Sequence, residues 1–324
     1  MKKTNESAIS TYKSVRGIKG WLTQPRTSAS GAIFEGPCED LLEGLPDECV
    51  DLVVSSPPYC MGKEYENRRD NIENFVANHK KVLPEICRVL KPGGSLCWQV
   101  GFHVLDGVST PLDFLVYDIM RDIKDMKLRN RIAWTFKHGL HAQTRFSGRY
   151  ETILWYTKGD DYEFDLDAVR IEQIYPGKRH SSGPNKGQPS GNPAGKNPSD
   201  VWEIPNVKAN HVEKTEHPCQ FPVGLVQRLV RALTKEDSLI LDPFCGVASA
   251  GVAALVEKRH FLGAELDQEY VKIGADRLRS TIKGEIRFRP ADRAIPPPSP
   301  NSIVGRRPPG FATNIRFEDT PASA

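Results

Sequence analysis

The segment LILDPFCGVASAGVAALVEKRHFLGAELD, residues 239–267, constrains the fold more than any other stretch of the sequence. It consists of an apolar strand, a turn of small residues, a helix, and a second apolar strand that ends in an acid. Two strands that are joined through a helix pair in parallel. Strand patterns alternate with helical patterns elsewhere in the chain too, for example at CVDLVVSS and SLCWQVG. The sequence therefore predicts an α/β fold with a doubly wound, mixed sheet.

The 324 residues suffice for one large α/β domain with an insertion. Residues 1–30 show little pattern and are interpreted as an N-terminal arm. The two halves of the domain are predicted at residues 31–160 and 216–282. Between them, residues 161–215 form an irregular insertion rich in Gly, Pro, Ser, Asn and Lys. Residues 283–324 hold eight prolines and are predicted to be a poorly ordered tail.

The turn in residues 239–267 has the composition of a nucleoside-binding turn. Small residues at its centre let a ligand approach the backbone, and Glu265 follows Gly246 by 19 residues, a spacing that suits a carboxylate on ribose hydroxyls. The full glycine set of a dinucleotide site is missing, and Asp242-Pro243-Phe244 suits a cationic, amino-acid-bearing nucleoside better. S-adenosylmethionine (AdoMet) is such a ligand, although a plain strand–helix–strand unit would also explain the segment. The candidate cofactor residues here are Asp242, Pro243, Phe244, Gly246, Ala248, Ser249, Glu265 and Leu266.

A second unusual turn follows the strand in DLVVSSPPYC, residues 51–60. Two adjacent prolines cannot donate to a sheet ladder, so the strand ends there. The turn is rigid and leaves the Ser56 hydroxyl and the Tyr59 ring at the carboxyl end of the strand, where open α/β sheets bind ligands. This turn is therefore a candidate ligand-binding site, made of Ser56, Pro57, Pro58 and Tyr59, although a structural turn without a ligand would also explain it.

Basic residues are concentrated in one part of the chain, although the net charge is only +3. Residues 121–149 contain eight Lys and Arg against two Asp and Glu, and Trp134, Phe136 and Phe146 lie among them. Cations for phosphates and rings for bases are typical of a nucleic-acid surface, while a solvated face is the plain alternative. The candidate nucleic-acid contacts are Arg129, Arg131, Lys137, Arg145 and Arg149, with Lys178 and Arg179 in the insertion.

Composition also excludes several classes of protein. The seven cysteines form no C-x-x-C pair, which predicts reduced thiols and no metal site. No apolar run approaches the ~20 residues that span a bilayer, and the N-terminus lacks a signal-peptide pattern. A cytoplasmic protein without membrane attachment is expected.

Five motifs in order resemble the amino-methyltransferases of DNA restriction–modification systems. They are SSPPY, VLKPGGSL, RYETILWYTKGDDYEF, HPCQFPVGL and LDPFCGVASAG…GAELDQEYVKIGADRL. The resemblance as a whole extends over residues 32–278. Their order is similar to the permuted (beta) class, in which the catalytic half precedes the AdoMet half. The resemblance implies a Rossmann-like, AdoMet-dependent methyltransferase fold with circularly permuted motifs.

The resemblance also implies residue roles. In that family the S-P-P-Y turn is catalytic, which makes Ser56, Pro57, Pro58 and Tyr59 the candidate catalytic residues. The turn holds the base to be methylated, most often cytosine at N4, and this base is flipped out of duplex DNA. Phe221 and Pro222 would lie beside the methionine part of AdoMet, and the irregular insertion would recognise the target sequence. The expected partners are double-stranded DNA and a separately encoded cognate restriction endonuclease, with the methyltransferase itself a monomer.

Several alternatives remain at this point. Adenine-N6 methylation needs the same turn, and the triplet Pro218-Cys219-Gln220 matches the nucleophile signature of cytosine-C5 enzymes. The C5 alternative is disfavoured because the triplet precedes the cofactor turn and no later Glu-Asn-Val follows. A non-catalytic DNA-binding protein and an RNA substrate are two further alternatives. The chain also departs from the family in reading Gly36-Pro37 where a Gly-Asp pair is usual, which displaces the acid to Glu39 or Asp40.

Overall fold

The computed structural model describes residues 8–59, 72–137, 139 and 141–291. These residues all belong to one compact unit, Met1–Asp292. A second unit, Arg293–Ala324, lies outside the described residues, as does most of the predicted tail.

Nine of the eleven strands in the described part of the chain form one sheet, in the order β1-β2-β11-β10-β3-β4-β8-β7-β9, and β5 and β6 form a separate hairpin. The strands are β1 (Ile9–Tyr12), β2 (Gly31–Glu35), β3 (Val50–Ser55), β4 (Leu90–Val100), β5 (Phe102–Leu105), β6 (Val108–Pro111), β7 (Met126–Thr135), β8 (Tyr150–Lys158), β9 (Val201–Glu203), β10 (Leu239–Asp242) and β11 (His260–Glu265).

The sheet is mixed. The six strands from β1 to β4 in sheet order pair in parallel, whereas β8 is antiparallel to both β4 and β7. The short strand β9 pairs with β7 in parallel. The predicted mixed α/β fold is confirmed.

Helices cover both faces of the sheet. They are α1 (Val15–Thr23), α2 (Cys38–Gly44), α3 (Ile72–Val89), α4 (Leu112–Met120), α5 (Val223–Leu233), α6 (Ser249–Val256) and α7 (Gln268–Ile282). Neighbouring strand residues face opposite layers, so Leu52 and Val54 pack with α5 and α6, while Val53 packs with α1 to α4. Within the described ranges, no helix is both long and apolar enough to cross a membrane.

Apolar spacing explains the helix positions. Leu225, Leu229 and Leu233 recur at every fourth position of α5, and all three are buried. Helix α6 packs closely against β11, and Gly251 permits this packing because it has no side chain. A Cβ at Gly251 would lie 2.6 Å from the Phe261 ring.

The N-terminal region differs from its sequence interpretation as an arm without pattern. Residues 9–23 form β1 and α1, and β1 extends the sheet by pairing with β2. The apolar side chains of Ile9, Ile18 and Trp21 are buried. They are too widely spaced to give a clear strand or helix pattern, and only tertiary packing makes the region regular.

The insertion and the start of the tail are mostly irregular but anchored. Between residues 161 and 215 the regular elements are β9 and a short 3-10 helix, Asp167–Val169. Trp202 of β9 is buried. After α7, Ile286 and Phe288 pack against the core.

The strand order creates a switch point between β10 and β3. These strands are parallel neighbours, but the chain leaves β10 toward α6 on one face and β3 toward α3 on the other. Ligands of open α/β sheets bind in the crevice outside the carboxyl ends of such strands.

Candidate active site

A cavity of about 570 Å³ opens at this switch point and is called the central cavity below. Its walls come from the ends of β2 and β11, the turns after β3 and β10, and the segment before α5. Its volume lies within the range of small-molecule sites.

All four residues of the predicted catalytic turn line the central cavity: Ser56, Pro57, Pro58 and Tyr59. The turn follows the last residue of β3 directly. The Ser56 Oγ and the Tyr59 Oη lie 3.3 Å apart, so the two hydroxyls are within hydrogen-bond reach of each other.

Most of the predicted cofactor residues line the same cavity, namely Phe221, Pro243, Phe244, Gly246, Ser249, Glu265 and Leu266. Asp242, Ala248 and Pro222 are not among its described lining residues. Asp242 ends β10 with a fully buried side chain, and Ala248 is buried at the N-cap of α6. Pro222 precedes the first residue of α5. Each of these three residues is the sequence neighbour of a residue that lines the cavity.

Backbone amides hold the carboxylate of Glu265 in place. The backbone N–H of Gly246 donates to its Oε2 at 2.9 Å, and that of Asp267 donates to its Oε1 at 2.8 Å. Each carboxylate oxygen keeps a further lone pair for a ligand. Burial raises the pKa of Glu265.

The turn after β10 brings its backbone close to the cavity. Gly246 has a φ of +50°, and a Cβ there would lie 3.1 Å from Nε2 of His217. Ala248 also has a positive φ, 59°, although it is not glycine. The missing side chain at Gly246 therefore makes room for the His217 ring, and both residues line the central cavity.

The charge of the cavity favours a cationic ligand. Its described lining includes the carboxylates of Glu39, Glu265 and Asp267 and no Lys or Arg. His217 is the one described lining residue that could carry a positive charge. Burial lowers its pKa to about 4, so its ring is neutral at pH 7. Among the described lining residues a diphosphate would find no cationic partner. AdoMet carries a positive charge and a ribose, and these suit the carboxylates of the lining.

Asp242 joins the cofactor turn to the catalytic strand. Its Oδ1 accepts a hydrogen bond from the Ser55 hydroxyl at 2.6 Å and from the Phe244 N–H at 3.1 Å. Its Oδ2 is buried and has no hydrogen-bond partner among the described residues. Burial raises the pKa of Asp242 to about 7, against the opposing effect of the two hydrogen bonds.

A polar network behind Tyr59 was not predicted from the sequence. Nε2 of Gln99 lies 2.8 Å from the Tyr59 hydroxyl and 2.5 Å from Oε2 of Glu151. Gln99 belongs to β4 and Glu151 to β8, so antiparallel pairing of these strands brings them together. The only sequence signal was the place of Glu151 in the motif RYETILWYTKG.

A second network, also missed, positions the segment before α5. The buried carboxylate of Glu213 accepts hydrogen bonds from the backbone N–H groups of Val223 and Arg289, both at 2.9 Å. The Gln220 side chain donates to the Glu213 carbonyl at 2.8 Å. Glu213 therefore fixes the start of α5, and with it the position of Phe221.

The predicted nucleic-acid residues lie at different edges of the sheet. Lys137, Arg145 and Arg149 lie in or beside the β7–β8 connection, which is at the cavity edge because β8 is antiparallel to β4. Lys178 and Arg179 lie in the insertion and are exposed.

Arg129 lies toward the opposite edge. Its guanidinium bonds the Thr157 hydroxyl, the Gly159 carbonyl and the Asp160 carboxylate, each at 2.9 Å. Arg131 pairs with the buried Asp113 at 2.5 Å. Both arginines therefore have structural partners, and their DNA contacts stay a prediction.

Comparisons with known proteins agree with this geometry. The profile of the N6/N4 methyltransferase family, described as "DNA methylase", matches residues 50–276. The type II methyltransferase M.BglII of Bacillus subtilis is 44% identical over 242 residues, which are 74% of this chain and 67% of that protein.

Two solved structures share the fold. The PvuII DNA methyltransferase, described as cytosine-N4-specific, superimposes with a TM-score of 0.62 at 23% identity, over 80% of this chain and 92% of the other. TTHA0409 of Thermus thermophilus, described as a "Putative DNA Modification Methylase" complexed with S-adenosyl-L-methionine, gives a TM-score of 0.57 at 24% identity, over 78% and 94% of the two chains.

Proposed function

The chain belongs to the N6/N4 DNA methyltransferase family, and we propose that it transfers a methyl group from AdoMet to the exocyclic N4 amine of cytosine in duplex DNA. The observation that carries this proposal is the central cavity, which is lined by both the Ser56–Pro57–Pro58–Tyr59 turn and the carboxylate of Glu265. A base and a cofactor held by these two groups would share one space.

Glu265 and the turn after β10 would hold the cofactor. The free lone pairs of Glu265 suit the two ribose hydroxyls, and Phe244 and Leu266 offer apolar surface to a nucleoside. Gly246 lines the same cavity, so its backbone would lie beside the cofactor. AdoMet supplies, when bound, a methyl group activated by its sulfonium charge.

The catalytic turn would orient the target amine. The lone pair of an exocyclic amine is delocalised into the ring, so the amine is a poor nucleophile. An acceptor such as the Ser56 hydroxyl or the Pro57 carbonyl would accept a hydrogen bond from the amine and return electron density to nitrogen. The nitrogen would bond to the methyl carbon as the carbon–sulfur bond breaks, which leaves S-adenosylhomocysteine, and the amine would release one proton. The Tyr59 ring would stack on the base. We expect catalysis to come mostly from positioning and electrostatics.

The target base must leave the duplex, which costs a few kcal/mol. Lys137, Arg145 and Arg149 at the cavity edge are the proposed phosphate contacts, and the fully exposed ring of Phe146 is available for stacking. Lys178 and Arg179, which are exposed in the insertion, are proposed as further phosphate contacts. We propose that the insertion recognises the target sequence.

Cytosine is proposed over adenine because the resemblance of the S-P-P-Y turn favours N4 chemistry. The PvuII enzyme adds a fold neighbour that is described as cytosine-N4-specific. Adenine-N6 methylation is the second candidate, since both amines need the same acceptor and the same stacking ring.

The biological setting is proposed by the same resemblance. The methyltransferase would protect cytoplasmic DNA from a cognate restriction endonuclease encoded separately. We expect a monomer, since each molecule methylates one strand at a time.

The test is mass spectrometry of nucleosides from unmethylated duplex DNA treated with the purified protein and AdoMet. N4-methylcytosine is the expected product, and it should be lost with Tyr59→Ala. N6-methyladenine would instead establish the second candidate. If no methylated base formed, the proposed activity would be wrong.

A further inference from the structure

Four side chains connect the catalytic turn to a half-buried carboxylate. The Ser56 Oγ lies 3.3 Å from the Tyr59 Oη, and the Tyr59 Oη lies 3.4 Å from Oε2 of Glu151. Gln99 bridges the last two, with Nε2 at 2.8 Å from Tyr59 and 2.5 Å from Glu151. Glu151 is not among the described lining residues of the central cavity, so it reaches the site through Tyr59.

The chemistry of these groups gives the chain a direction. An ionised carboxylate only accepts hydrogen bonds, so the Gln99 amide nitrogen must donate to Glu151. The Tyr59 hydroxyl then has two acceptors for its proton, Oε2 of Glu151 at 3.4 Å and Oε1 of Gln99 at 3.1 Å. The Tyr59 oxygen already accepts from Nε2 of Gln99 at 2.8 Å, so with its own proton directed to either acceptor it keeps one lone pair that can accept from Ser56.

The direction of this chain decides whether the Ser56 hydroxyl can accept a hydrogen bond from a ligand. If its proton points to Tyr59, the lone pairs of its oxygen are available to an amine in the central cavity. Hydrogen-bonded chains polarise one another, so a negative charge at the far end makes the Ser56 oxygen a better acceptor. The opposite direction would turn the Ser56 proton toward the amine and weaken its nucleophilicity.

We propose that Glu151 is a positioning residue whose negative charge fixes the direction of the hydrogen bonds from Ser56 through Tyr59, so that Ser56 presents an acceptor to the target amine. This inference rests on the proposed function and adds a residue to it. Glu151 acts through Tyr59 and contacts neither substrate nor cofactor.

Protonation of Glu151 would remove this control, because a neutral carboxyl group can donate to Tyr59 and reverse the chain. The titratable groups that face Glu151 are Tyr59, from the catalytic turn, and Lys208, from the insertion. Burial raises the pKa of Glu151 to about 6, while the hydrogen bonds and Lys208 oppose the rise. The active, ionised form is therefore lost as the pH falls through about 6.

The test compares Glu151→Gln with wild type in steady-state methyl transfer between pH 5 and 8.5, together with AdoMet binding. Gln keeps the shape but removes the charge. We expect kcat at pH 8 to fall about 10- to 100-fold, the range of one charged hydrogen bond, with an AdoMet Kd within about twofold of wild type. Wild type should show an acid limb in log kcat near pH 6 that is absent in the variant. Glu163→Gln, at an exposed ion pair with Lys235, is the matched control.

A second variant covers the case in which Glu151→Gln does not fold. Tyr59→Phe keeps the ring but breaks the chain, so it should also lose the acid limb. The double variant should be no slower than Tyr59→Phe alone, since both changes remove the same interaction.

The outcomes separate this inference from the proposed function. No methyl transfer by wild type would refute the proposed function itself. An active wild type, with Glu151→Gln or Tyr59→Phe retaining the acid limb, would overturn the role of Glu151 alone.

Discussion

The hydroxyl of Ser55 donates a 2.6 Å hydrogen bond to Oδ1 of Asp242, and this bond joins the last residue of β3 to the last residue of β10. The two residues are 187 positions apart in the sequence. The same oxygen accepts the Phe244 N–H, so one buried carboxylate holds both the catalytic turn and the cofactor turn. The two halves of the site are thus fixed relative to each other before any ligand binds.

This carboxylate should make stability depend on pH. Burial raises the pKa of Asp242 to about 7 in the folded protein, so the folded state prefers its neutral form. Its stabilising effect is full below the ordinary pKa of about 3.8 and is lost as the pH rises through about 7. We expect Asp242→Asn to flatten the profile of unfolding free energy between pH 4 and 8, measured by urea denaturation. Glu151 and Glu265 contribute in the same direction, so some dependence should remain. Parallel wild-type and variant profiles would contradict this role.

Glu265 should determine cofactor affinity. We expect wild type to bind AdoMet with a micromolar-range Kd. Loss of the hydrogen bonds to a ribose should raise the Kd by about tenfold or more in Glu265→Ala, as measured by isothermal titration calorimetry. Glu269→Ala is the control, because Glu269 lies in the first turn of α7 outside the described cavity lining. Equal affinities for the two variants would rule out the assigned contact.

Cys219 should not be a nucleophile. It lies in the wall of the central cavity, where a cytosine-C5 enzyme would need its thiolate to attack the ring. In N4 methylation the amine attacks directly, so we expect Cys219→Ser to keep a kcat within about threefold of wild type. The assay is transfer of labelled methyl groups to DNA. Complete loss of activity, with 5-methylcytosine as the wild-type product, would favour the C5 alternative.

The two edges of the sheet should differ in DNA binding. Arg145 lies at the cavity edge, and we expect Arg145→Ala to weaken DNA binding and reduce its salt dependence by about one phosphate contact. Arg129→Ala should leave DNA affinity unchanged and lower thermal stability, because it removes the bonds to Thr157, Gly159 and Asp160. Fluorescence anisotropy at several salt concentrations, with melting curves, distinguishes the two effects. An equal loss of affinity in both variants would instead support the DNA contact predicted for Arg129.

The strand–helix–strand unit at residues 239–267 was predictable from sequence because its pattern is local. The order of apolar strand, small-residue turn, helix and second apolar strand predicted β10, α6 and β11. It also placed Glu265 at the end of β11, where it lines the central cavity. The two prolines ended β3 just as their missing N–H groups require. Local chemistry dictated these features, and the structure contains them.

Features that depend on distant pairing were not predictable. Gln99 and Glu151 meet only because β8 runs antiparallel to β4, and no local pattern specifies that neighbour. A count of basic residues likewise could not separate Arg129 from Arg145, since the direction of β7 decides which edge each one occupies. The N-terminal strand β1 and helix α1 were not predicted, because the few apolar residues of this region give no local pattern. The region takes up regular secondary structure by packing against the rest of the domain.

The most direct test of the account is a crystal structure of the protein with AdoMet. We expect the ribose hydroxyls on the carboxylate of Glu265 and the methyl group facing Ser56 and Tyr59 across the central cavity. A cofactor bound away from this cavity, or with its methyl group directed away from the catalytic turn, would contradict the account.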